Sequence, residues 1–237
     1  MLQNFEIIEK KNLTQDVFEI TFEWEYELKM KPWQFITFLL DKIGGRAYSI
    51  LKVEWKKLIL IIKKRELENW WRWGSKYICE REIWEKLKWV GPAGHFLLQN
   101  NNENKLFIWT GTWFVPLYNM ILTELENNNS NKIFFTFWVR EKEDVFYINE
   151  LEKIKKNYSN FDFEIYISRV KDLHLFELKY PNTKILSWYT TNHLTKKNIE
   201  NTGEFYICWA PMMIESTIEK LKNFWFKEKE NIFFEKY

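Results

Sequence analysis

The sequence predicts an antiparallel β-barrel followed by a doubly wound, parallel α/β sheet. Short runs rich in β-branched and aromatic residues fill the first part of the chain and are separated by turn signals, which is typical of a small barrel. After the polar segment Asn100–Asn104, strand-like and helix-like segments alternate, which predicts parallel strands covered by helices. We therefore expect two domains, residues 1–100 and residues 101–237.

The barrel is predicted from three runs in particular, at residues 17–22, 34–40 and 58–62. Lys31-Pro32 and Gly44-Gly45 provide turn signals between them. One helical segment is expected to interrupt the strands near residues 75–80. Short strands at such spacing close most simply into a barrel, because closure removes exposed edges.

In the second domain we expect five strands, at residues 105–108, 132–137, 162–167, 204–208 and 231–234. Helices are expected at residues 115–126, 148–156 and 214–224. In the last of these, Ile214, Ile218 and Leu221 recur at helical spacing. Ligands of such sheets bind at the carboxyl ends of the strands.

Composition narrows the class of partner. The net charge is only +2, from 35 basic and 33 acidic residues, which argues against a nucleic-acid footprint. The two cysteines are far apart in sequence and the three histidines share no ligand spacing, so we expect no metal site and no disulfide framework. No apolar run is long enough to span a bilayer and the N-terminus lacks signal-peptide features. The expectation is a cytoplasmic protein with no membrane partner and an unknown oligomeric state.

Two motifs in the first domain carry groups that bind phosphates and flat rings. In Arg46-Ala47-Tyr48-Ser49, the arginine can clamp a pyrophosphate and the tyrosine can stack on a heterocycle. Trp71-Arg72-Trp73-Gly74-Ser75 reads as a turn that ends in serine at a helix start, which suits a phosphate. Taken alone, the first also fits an exposed strand end and the second a plain helix cap.

Further motifs follow in a fixed order: Val90-Gly91-Pro92-Ala93-Gly94-His95-Phe96, then Thr110-Gly111-Thr112-Trp113-Phe114-Val115-Pro116, then Cys208-Trp209-Ala210-Pro211-Met212-Met213. The ordered set resembles the ferredoxin–NADP⁺ reductase-like flavoproteins. The family pattern is R-x-Y-S, G-x-x-S, G-P-x-G-x-F, T-G-T-G-x-x-P and C-G-x-P. The resemblance covers nearly the whole chain, and it implies an FAD-binding barrel followed by an NAD(P)H-binding α/β domain.

For the flavin, the resemblance implies that Arg46 contacts the phosphates, Tyr48 stacks on the isoalloxazine and Ser49 hydrogen-bonds near its reactive nitrogen. Ser75 and the backbone around Gly74 would hold the pyrophosphate. Other FAD contacts implied by the resemblance are Ala47, Ile62, Lys64 and Trp73.

For the nicotinamide nucleotide, the resemblance implies that Thr110, Gly111 and Thr112 cradle the pyrophosphate and that Cys208 lies beside the reacting nicotinamide carbon. Without the motif, Cys208 reads as a buried core cysteine. Arg140 could read the adenosine 2′-phosphate of NADPH or be an ordinary surface arginine. Further contacts implied are Trp113, Pro116, Trp209, Pro211 and Met212.

The chain ends Phe233-Phe234-Glu235-Lys236-Tyr237, which is similar to the E-x-Y ending of plant-type members. There the aromatic ring covers the flavin and yields to nicotinamide. The resemblance therefore adds Glu235 and Tyr237 to Ser49 and Cys208 as catalytic residues. Tyr237 also fits an ordinary edge-strand end.

Tryptophan stands where the family pattern has glycine. Trp113 takes the last glycine of T-G-T-G, Trp209 the glycine of C-G-x-P, Trp33 that of a P-G-Q-F turn, and Trp225 a helix-capping glycine. The chain has 14 Trp and only 7 Gly. We hypothesise that the tryptophans stand for glycine encoded by UGA, which some bacterial lineages read as glycine.

The predicted function is that of an FAD-dependent oxidoreductase that takes hydride from NADH or NADPH and passes electrons to a separate acceptor protein, such as ferredoxin or flavodoxin, or to a small oxidant. The alternative is a non-catalytic or electron-transfer subunit of a larger complex that keeps the fold.

Overall fold

The computed structural model describes residues 3–31, 34–65, 74–127, 130–170, 172–209 and 211–236. Spatial contacts divide the chain into two compact units. The first comprises residues 1–97 with Tyr118–Met120, and the second comprises residues 98–117 with residues 121–237. The domain limits at residues 1–100 and 101–237 stay a prediction.

The first unit is a closed six-stranded barrel in which every recorded strand pair is antiparallel, as predicted. Its strand order is β1-β2-β5-β4-β3-β6. The strands and the one helix between β5 and β6 are β1 Gln3–Asn12, β2 Val17–Glu23, β3 Phe35–Leu40, β4 Gly44–Glu54, β5 Lys57–Lys63, α1 Gly74–Cys79 and β6 Lys86–Ala93.

The barrel interior is filled by large apolar side chains from alternate strand positions. In β3 every second residue is buried, because successive side chains of a strand point to opposite faces. Phe5, Phe22 and Phe38 are completely buried, and the ring centroids of Phe22 and Phe38 lie 5.0 Å apart. Beside this core, β3 pairs with β4 with Phe38 opposite Arg46 and Phe35 opposite Ser49.

The second unit is a six-stranded parallel sheet with helices between its strands, which confirms the doubly wound prediction. The strand order is β10-β9-β8-β7-β11-β12. The elements are β7 Lys105–Thr110, α2 Phe114–Glu126, β8 Ile133–Val139, α3 Ile148–Asn157, β9 Phe161–Ile167, α4 His174–Lys179, β10 Lys184–Ser187, α5 Lys196–Ile199, β11 Glu204–Trp209, α6 Pro211–Lys222 and β12 Ile232–Lys236.

The chain order of the strands reverses between β7 and β11, which lie side by side. From β7 the chain winds outward through β8, β9 and β10, and then returns to β11 on the other side of β7. Loops that leave two neighbouring strands in opposite directions open a crevice at the carboxyl ends of those strands. Thr110, the last residue of β7, and Trp209, the last residue of β11, stand at this edge of the sheet.

Among the strands and α-helices of the second unit, three short elements were not predicted from the sequence, namely β10, α4 and α5. In the first unit, β1, β4 and β6 were not predicted individually. β10 has four residues and α5 also has four, too few for a hydrophobic period to show. α4 buries none of its six residues, so it carries no apolar face to detect. Helix α6 begins at Pro211 instead of residue 214, because proline is well tolerated in the first turn.

A buried charge network joins the start of β7 to α2 and β11. Lys105 is 1% exposed, and its Nζ lies 3.2 Å from Oε1 of Glu124 and 3.5 Å from Oε2 of Glu204. It also donates to the side-chain oxygen of Asn101 at 3.0 Å. Tyr206 donates its hydroxyl hydrogen to Glu204 at 2.8 Å. Each buried charge is therefore paired and hydrogen-bonded, as burial of ions requires.

Two further features are missing from the described part of the chain. No described helix offers an apolar stretch long enough to cross a membrane. Within the same residues, no group of three or more His, Cys, Asp or Glu side chains is arranged to hold a metal ion.

Candidate functional site

The barrel presents Arg46, Ala47, Tyr48 and Ser49 on consecutive positions of β4. The alternation of a strand puts Arg46 and Tyr48 on one face and Ala47 and Ser49 on the other. Ala47 is exposed, and the other three are half-buried. The four residues predicted to contact FAD therefore lie on β4, which pairs there with the antiparallel strand β3.

Arg46 lies against Gly74, the first residue of α1. A Cβ added to Gly74 would lie 2.5 Å from Cγ of Arg46 and 3.0 Å from its Nε, well inside van der Waals contact. The guanidinium donates from Nη1 to the Gly45 carbonyl at 2.7 Å. Because residue 74 is glycine and has no side chain, the Arg46 side chain can pack directly against its backbone. That combination of cation and close backbone suits a phosphate group.

Tyr48 is fixed against the barrel core. Its ring lies 6.0 Å from that of Phe38 between centroids, and it packs on the buried cluster. Burial raises the pKa of the phenol above its ordinary value, the neighbouring Cys79 raises it further, and Arg46 lowers it. The hydroxyl therefore stays neutral, which suits a ring that stacks on a flat heterocycle. Burial likewise raises the pKa of the Cys79 thiol to about 12.

Ser75, Lys64 and Ile62 have structural partners in the described residues. The Ser75 hydroxyl oxygen accepts the backbone N–H of Arg65 at 3.3 Å. Lys64 forms an ion pair with Glu80 at 3.0 Å. Ile62 is 1% exposed and belongs to the barrel core, which gives its side chain a packing role. Trp73 and Trp33 lie outside the described residues, so their predicted roles stay predictions.

In the second unit, the predicted pyrophosphate turn lies where β7 ends and α2 begins. Thr110 is extended, and Gly111–Trp113 form a 3₁₀ turn that leads directly into α2. Gly111 has a φ of +55°, in the left-handed region, and a Cβ there would meet nothing within 4 Å. Because the backbone N–H groups at a helix start favour anions, this open turn fits a pyrophosphate.

Trp113 and Pro116 follow this turn. Trp113 is half-buried and packs against a cluster that includes Ile207 of β11 and Ile214 of α6. A pyrophosphate that approached this backbone would compete with the indole for space. Pro116 is buried in the first turn of α2, where its missing N–H breaks no helical hydrogen bond.

Cys208 lies next to the end of β11, on the other side of the switch point. It is 0% exposed and stands in register with Trp109 of β7 and Glu235 of β12. Burial raises the pKa of its thiol well above the ordinary value, and the carboxylate of Glu235 adds to that shift. Cys208 is therefore a neutral thiol and does not act as a thiolate nucleophile, and its contact with a nicotinamide stays a prediction.

The remaining predicted residues of this unit have varied surroundings. Trp209 is the last residue of β11 and Pro211 the first of α6, and Met212 is 82% exposed. Ala210 and Tyr237 lie outside the described residues, so the stacking of Tyr237 on a flavin stays a prediction.

Arg140 follows β8 directly and is exposed. Sequence reasoning missed a second arginine beside it. The backbone N–H of Arg169, just beyond β9, donates to the carbonyl of Arg140 at 2.9 Å. The Arg169 guanidinium lies 4.0 Å from the carboxylate of Glu141. Two arginines and a glutamate thus follow the ends of β8 and β9 at the carboxyl edge, where Rossmann-like sheets bind the adenosine ribose. Arg169 could have been found from the sequence by its position directly after Ser168 at the end of the predicted third strand of the second unit, now β9.

Comparison with known proteins agrees with this geometry. Residues 107–219, a little under half of the chain, match the family described as "Oxidoreductase NAD-binding domain". The crystal structure of a ferredoxin NADP⁺ reductase from Neisseria gonorrhoeae, with bound FAD and NADP, superposes with a TM-score of 0.80. It is 14% identical, and the match covers 99% of this chain and 98% of that one. The chain has the ferredoxin–NADP⁺ reductase-like fold.

The resemblance read from the motifs is thereby confirmed, and the expected cofactors, FAD with NADH or NADPH, agree with these matches. Among curated proteins, a relative from Neisseria meningitidis is 27% identical over 218 residues, covering 89% of this chain and 52% of its own length. One from Marinomonas sp. is 28% identical over 161 residues, covering 67% of this chain and 38% of its own length. Both are named as the same subunit of the Na(+)-translocating NADH-quinone reductase. The chain spans about half or less of the length of these relatives.

One expectation is corrected by these relatives. The absence of a membrane among the predicted partners is wrong, because both relatives are subunits of a Na⁺-translocating enzyme, and ion translocation requires a membrane. Composition indicates only whether a chain has segments that could span a bilayer, and not to which complex its relatives belong. The acceptor proteins ferredoxin and flavodoxin are not supported by the relatives' names.

Proposed function

We propose that this chain is the FAD- and NAD(P)H-binding electron-transfer module of a larger redox assembly. The observation that carries this proposal is the combination of a ferredoxin–NADP⁺ reductase-like fold with curated relatives that are named as subunits of an NADH-quinone reductase. The family match over residues 107–219 supports the nucleotide part. The electrons would leave to a separate redox centre in a partner subunit.

FAD accepts hydride from a reduced nicotinamide and releases electrons one at a time. In the barrel, the Arg46 guanidinium would neutralise the FAD phosphates while Gly74 lets the backbone approach them, since a Cβ there would collide with Arg46. Tyr48, held by the core and neutral, would support the isoalloxazine by stacking. Ser49, on the other face of β4, would donate its hydroxyl hydrogen to a ring nitrogen.

In the second unit, Gly111 and the start of α2 would hold the nucleotide pyrophosphate through backbone N–H groups. Cys208, buried and protonated, would contact the nicotinamide and fix its ring without exchanging a proton. The balance between the positive charges of Arg140 and Arg169 and the negative charge of Glu141 would decide whether NADPH or NADH is preferred. An arginine favours the 2′-phosphate, whereas an acid favours the free ribose hydroxyl.

The test uses the protein isolated from its own cells with an affinity tag. If the chain is an electron-transfer module, we expect a flavin absorption spectrum that bleaches on anaerobic addition of NADH or NADPH. We also expect partner subunits to co-purify. A flavin spectrum that neither nucleotide bleaches would refute electron entry at this site. A folded, colourless protein that takes up no added FAD would refute the flavin assignment itself.

A free-standing NAD(P)H oxidoreductase is the second candidate. One observation favours it: the match covers 98% of the chain of the Neisseria gonorrhoeae ferredoxin NADP⁺ reductase, whose crystal structure holds both FAD and NADP. Under this reading, the purified chain runs alone on size-exclusion chromatography and reduces an added ferredoxin or flavodoxin at a rate set by nucleotide concentration. Stable partner subunits and no reduction of ferredoxin would exclude it.

A further inference from the structure

Seven described residues other than glycine have a φ in the left-handed region, and four of them are tryptophans. The other three are Lys42, Tyr147 and Lys229. Positive φ is uncommon for any residue with a Cβ, and a bulky side chain there is an outlier. The four are Trp55 (φ 55°), Trp84 (φ 78°), Trp188 (φ 130°) and Trp225 (φ 73°).

Trp225 occupies the glycine position of a Schellman motif after α6. The backbone N–H of Trp225 donates to the carbonyl of Lys222 at 2.9 Å, and that of Phe226 donates to Leu221 at 3.3 Å. These two bonds define the motif, and Leu221 and Phe226 share one hydrophobic cluster, as its flanking residues usually do. The residue at the C′ position, here Trp225, must adopt a left-handed conformation, so glycine is the usual residue there.

Trp55 occupies the first position of a two-residue hairpin loop. It connects β4 to β5, where Glu54 pairs with Lys57, and Lys56 fills the second position. Positive φ at the first position, but not at Lys56, is the pattern of a type II′ turn. In that turn the first position favours glycine.

Trp84 is the third residue of a β-turn before β6. The backbone N–H of Glu85 donates to the carbonyl of Glu82 at 3.3 Å, which closes the turn. Positive φ at the third of the four residues is the mark of a type II turn, which requires glycine or asparagine there.

Trp188 has the most demanding backbone of the four. Its φ of 130° is far outside the left-handed helical well, and among the described residues only Gly91 (130°) and Gly94 (133°) have values as large. The Trp188 N–H donates to the Ile167 carbonyl at 3.2 Å, so the backbone is anchored in this conformation next to β9. Such a φ is accessible essentially only to glycine.

The indole rings contribute little that could offset this strain. Trp55 and Trp84 are each 69% exposed, Trp188 is 64% exposed and Trp225 is 91% exposed. The Lys56 ammonium lies 4.7 Å from the Trp55 ring centroid, a contact that is weak in water. Four different turns therefore each carry a large exposed ring at the one position that calls for no side chain.

We infer that the protein made in its own cells carries glycine at positions 55, 84, 188 and 225, because the codon at these positions is UGA and is read there as glycine. The inference stands apart from the proposed function, since the four turns lie outside the motifs assigned to FAD and NAD(P)H. The sequence has 7 Gly against 14 Trp. At these four positions, the backbone conformation explains why glycine is expected where tryptophan is written.

The deciding experiment is peptide sequencing by tandem mass spectrometry on the protein isolated from its own cells, together with the codons of the gene. We expect each of the four peptides to have the mass of glycine, and each codon to be UGA. Lys42, Tyr147 and Lys229, which share the left-handed backbone, serve as controls and are expected as written. Tryptophan in these peptides, or UGG codons, would overturn the inference.

A second measurement tests the backbone argument on recombinant protein. One variant replaces the four tryptophans by glycine, and its matched control replaces them by alanine. Both remove the exposed rings, but only glycine relieves the φ. We expect the glycine variant to gain about tenfold in the folded-to-unfolded ratio per position over the alanine variant. Equal stability of the two variants would contradict the inference.

Discussion

The Arg46 side chain packs directly against the backbone of Gly74, so a change at one residue affects the other. Replacing Gly74 by Ala would put a methyl group 2.5 Å from Cγ of Arg46, so the guanidinium would have to move. We expect Gly74→Ala to weaken FAD binding by about 10- to 100-fold, since a charge-assisted hydrogen bond contributes roughly 1.5–3 kcal/mol. The measurement is a titration of the apoprotein with FAD, followed by flavin fluorescence.

Gly45→Ala is the matched control for that variant. Gly45 neighbours Arg46 on the same strand, but its added Cβ would meet only the Thr37 methyl group, at 3.1 Å. Its FAD affinity is expected to stay close to that of the parent. A Gly74→Ala protein that binds FAD as tightly as the Gly45→Ala protein would show that Arg46 does not hold the phosphates.

Cys208 gives a prediction about pH. Because burial and Glu235 hold the pKa of the thiol high, the thiol does not ionise in the neutral range. The rate of flavin reduction should therefore show no inflection from Cys208 between about pH 6 and pH 9, although an unperturbed thiol titrates near 8.5. Cys208→Ala is expected to slow this step about 10- to 100-fold by misplacing the nicotinamide. Stopped-flow absorbance measures both, and an inflection that disappears in Cys208→Ala would contradict the neutral thiol.

Trp113 is expected to hinder the nucleotide that the neighbouring turn is built to hold. Trp113→Gly removes the indole at the end of the Gly111–Trp113 turn, directly before α2, and leaves more space beside the backbone N–H groups at the helix start. We expect NAD(P)H affinity to rise roughly tenfold, which is about 1.4 kcal/mol. Isothermal titration measures it, and unchanged FAD affinity of the same variant is the internal control. Weaker nucleotide binding would mean that the indole is part of the site.

At the scale of elements, the buried carboxylate of Glu164 joins β9 to Lys184 of β10 and to His193 in the turn after β10. His193 Nδ1 lies 2.9 Å from Oε2 of Glu164, and Tyr166 donates its hydroxyl hydrogen to the same oxygen at 2.7 Å. Burial by itself raises the pKa of Glu164. Hydrogen bonds from His193, Lys184 and Tyr166 outweigh burial and hold the pKa at about 2, below the ordinary 4.5.

That lowered pKa predicts how stability depends on acid. The carboxylate contributes its full stabilisation above its unfolded pKa and loses it as pH falls from about 4.5 towards 2, where the folded protein takes up the proton. We expect Glu164→Gln to flatten this part of the stability curve, measured by urea unfolding across the acid range. Asp162→Asn, on the same strand but exposed, is the control. An identical slope in Glu164→Gln and parent would contradict the assignment.

The sequence predicted elements where a period or a motif marked them. The runs that became β2, β3 and β5 stood out because they are rich in β-branched and aromatic residues, and in β3 every second residue is also buried. It missed β10, α4 and α5, which are short and held in place by the rest of the sheet. The order of the motifs indicated both the FAD-binding and the NAD(P)H-binding regions. The position of Arg169 after a predicted strand was available from the sequence, but its backbone hydrogen bond to Arg140 joins residues far apart in the chain, which no local pattern encodes.

For the molecule as a whole, the two contact units predict two responses to ligands. Arg46 and Gly74 belong to the first unit, whereas Gly111 and Cys208 belong to the second. We expect calorimetry to show that FAD raises the unfolding temperature of one transition and NAD(P)H that of the other, because each ligand at a hundredfold excess over Kd stabilises its unit by about 2.7 kcal/mol. A single transition that both ligands shift equally would speak against domains at residues 1–100 and 101–237.

Lys105 and its two carboxylates have a consequence for how this sheet can change over time. Lys105 and Glu204 are direct neighbours across β7 and β11, so their ion pair fixes the register of the two strands on which the switch point depends. Loss of Lys105 would leave two carboxylates in the core without their cation, at about 3–5 kcal/mol, whereas loss of one glutamate would still leave a Lys105–carboxylate pair. A descendant that replaces Lys105 by an apolar residue should therefore have replaced Glu124 and Glu204 as well.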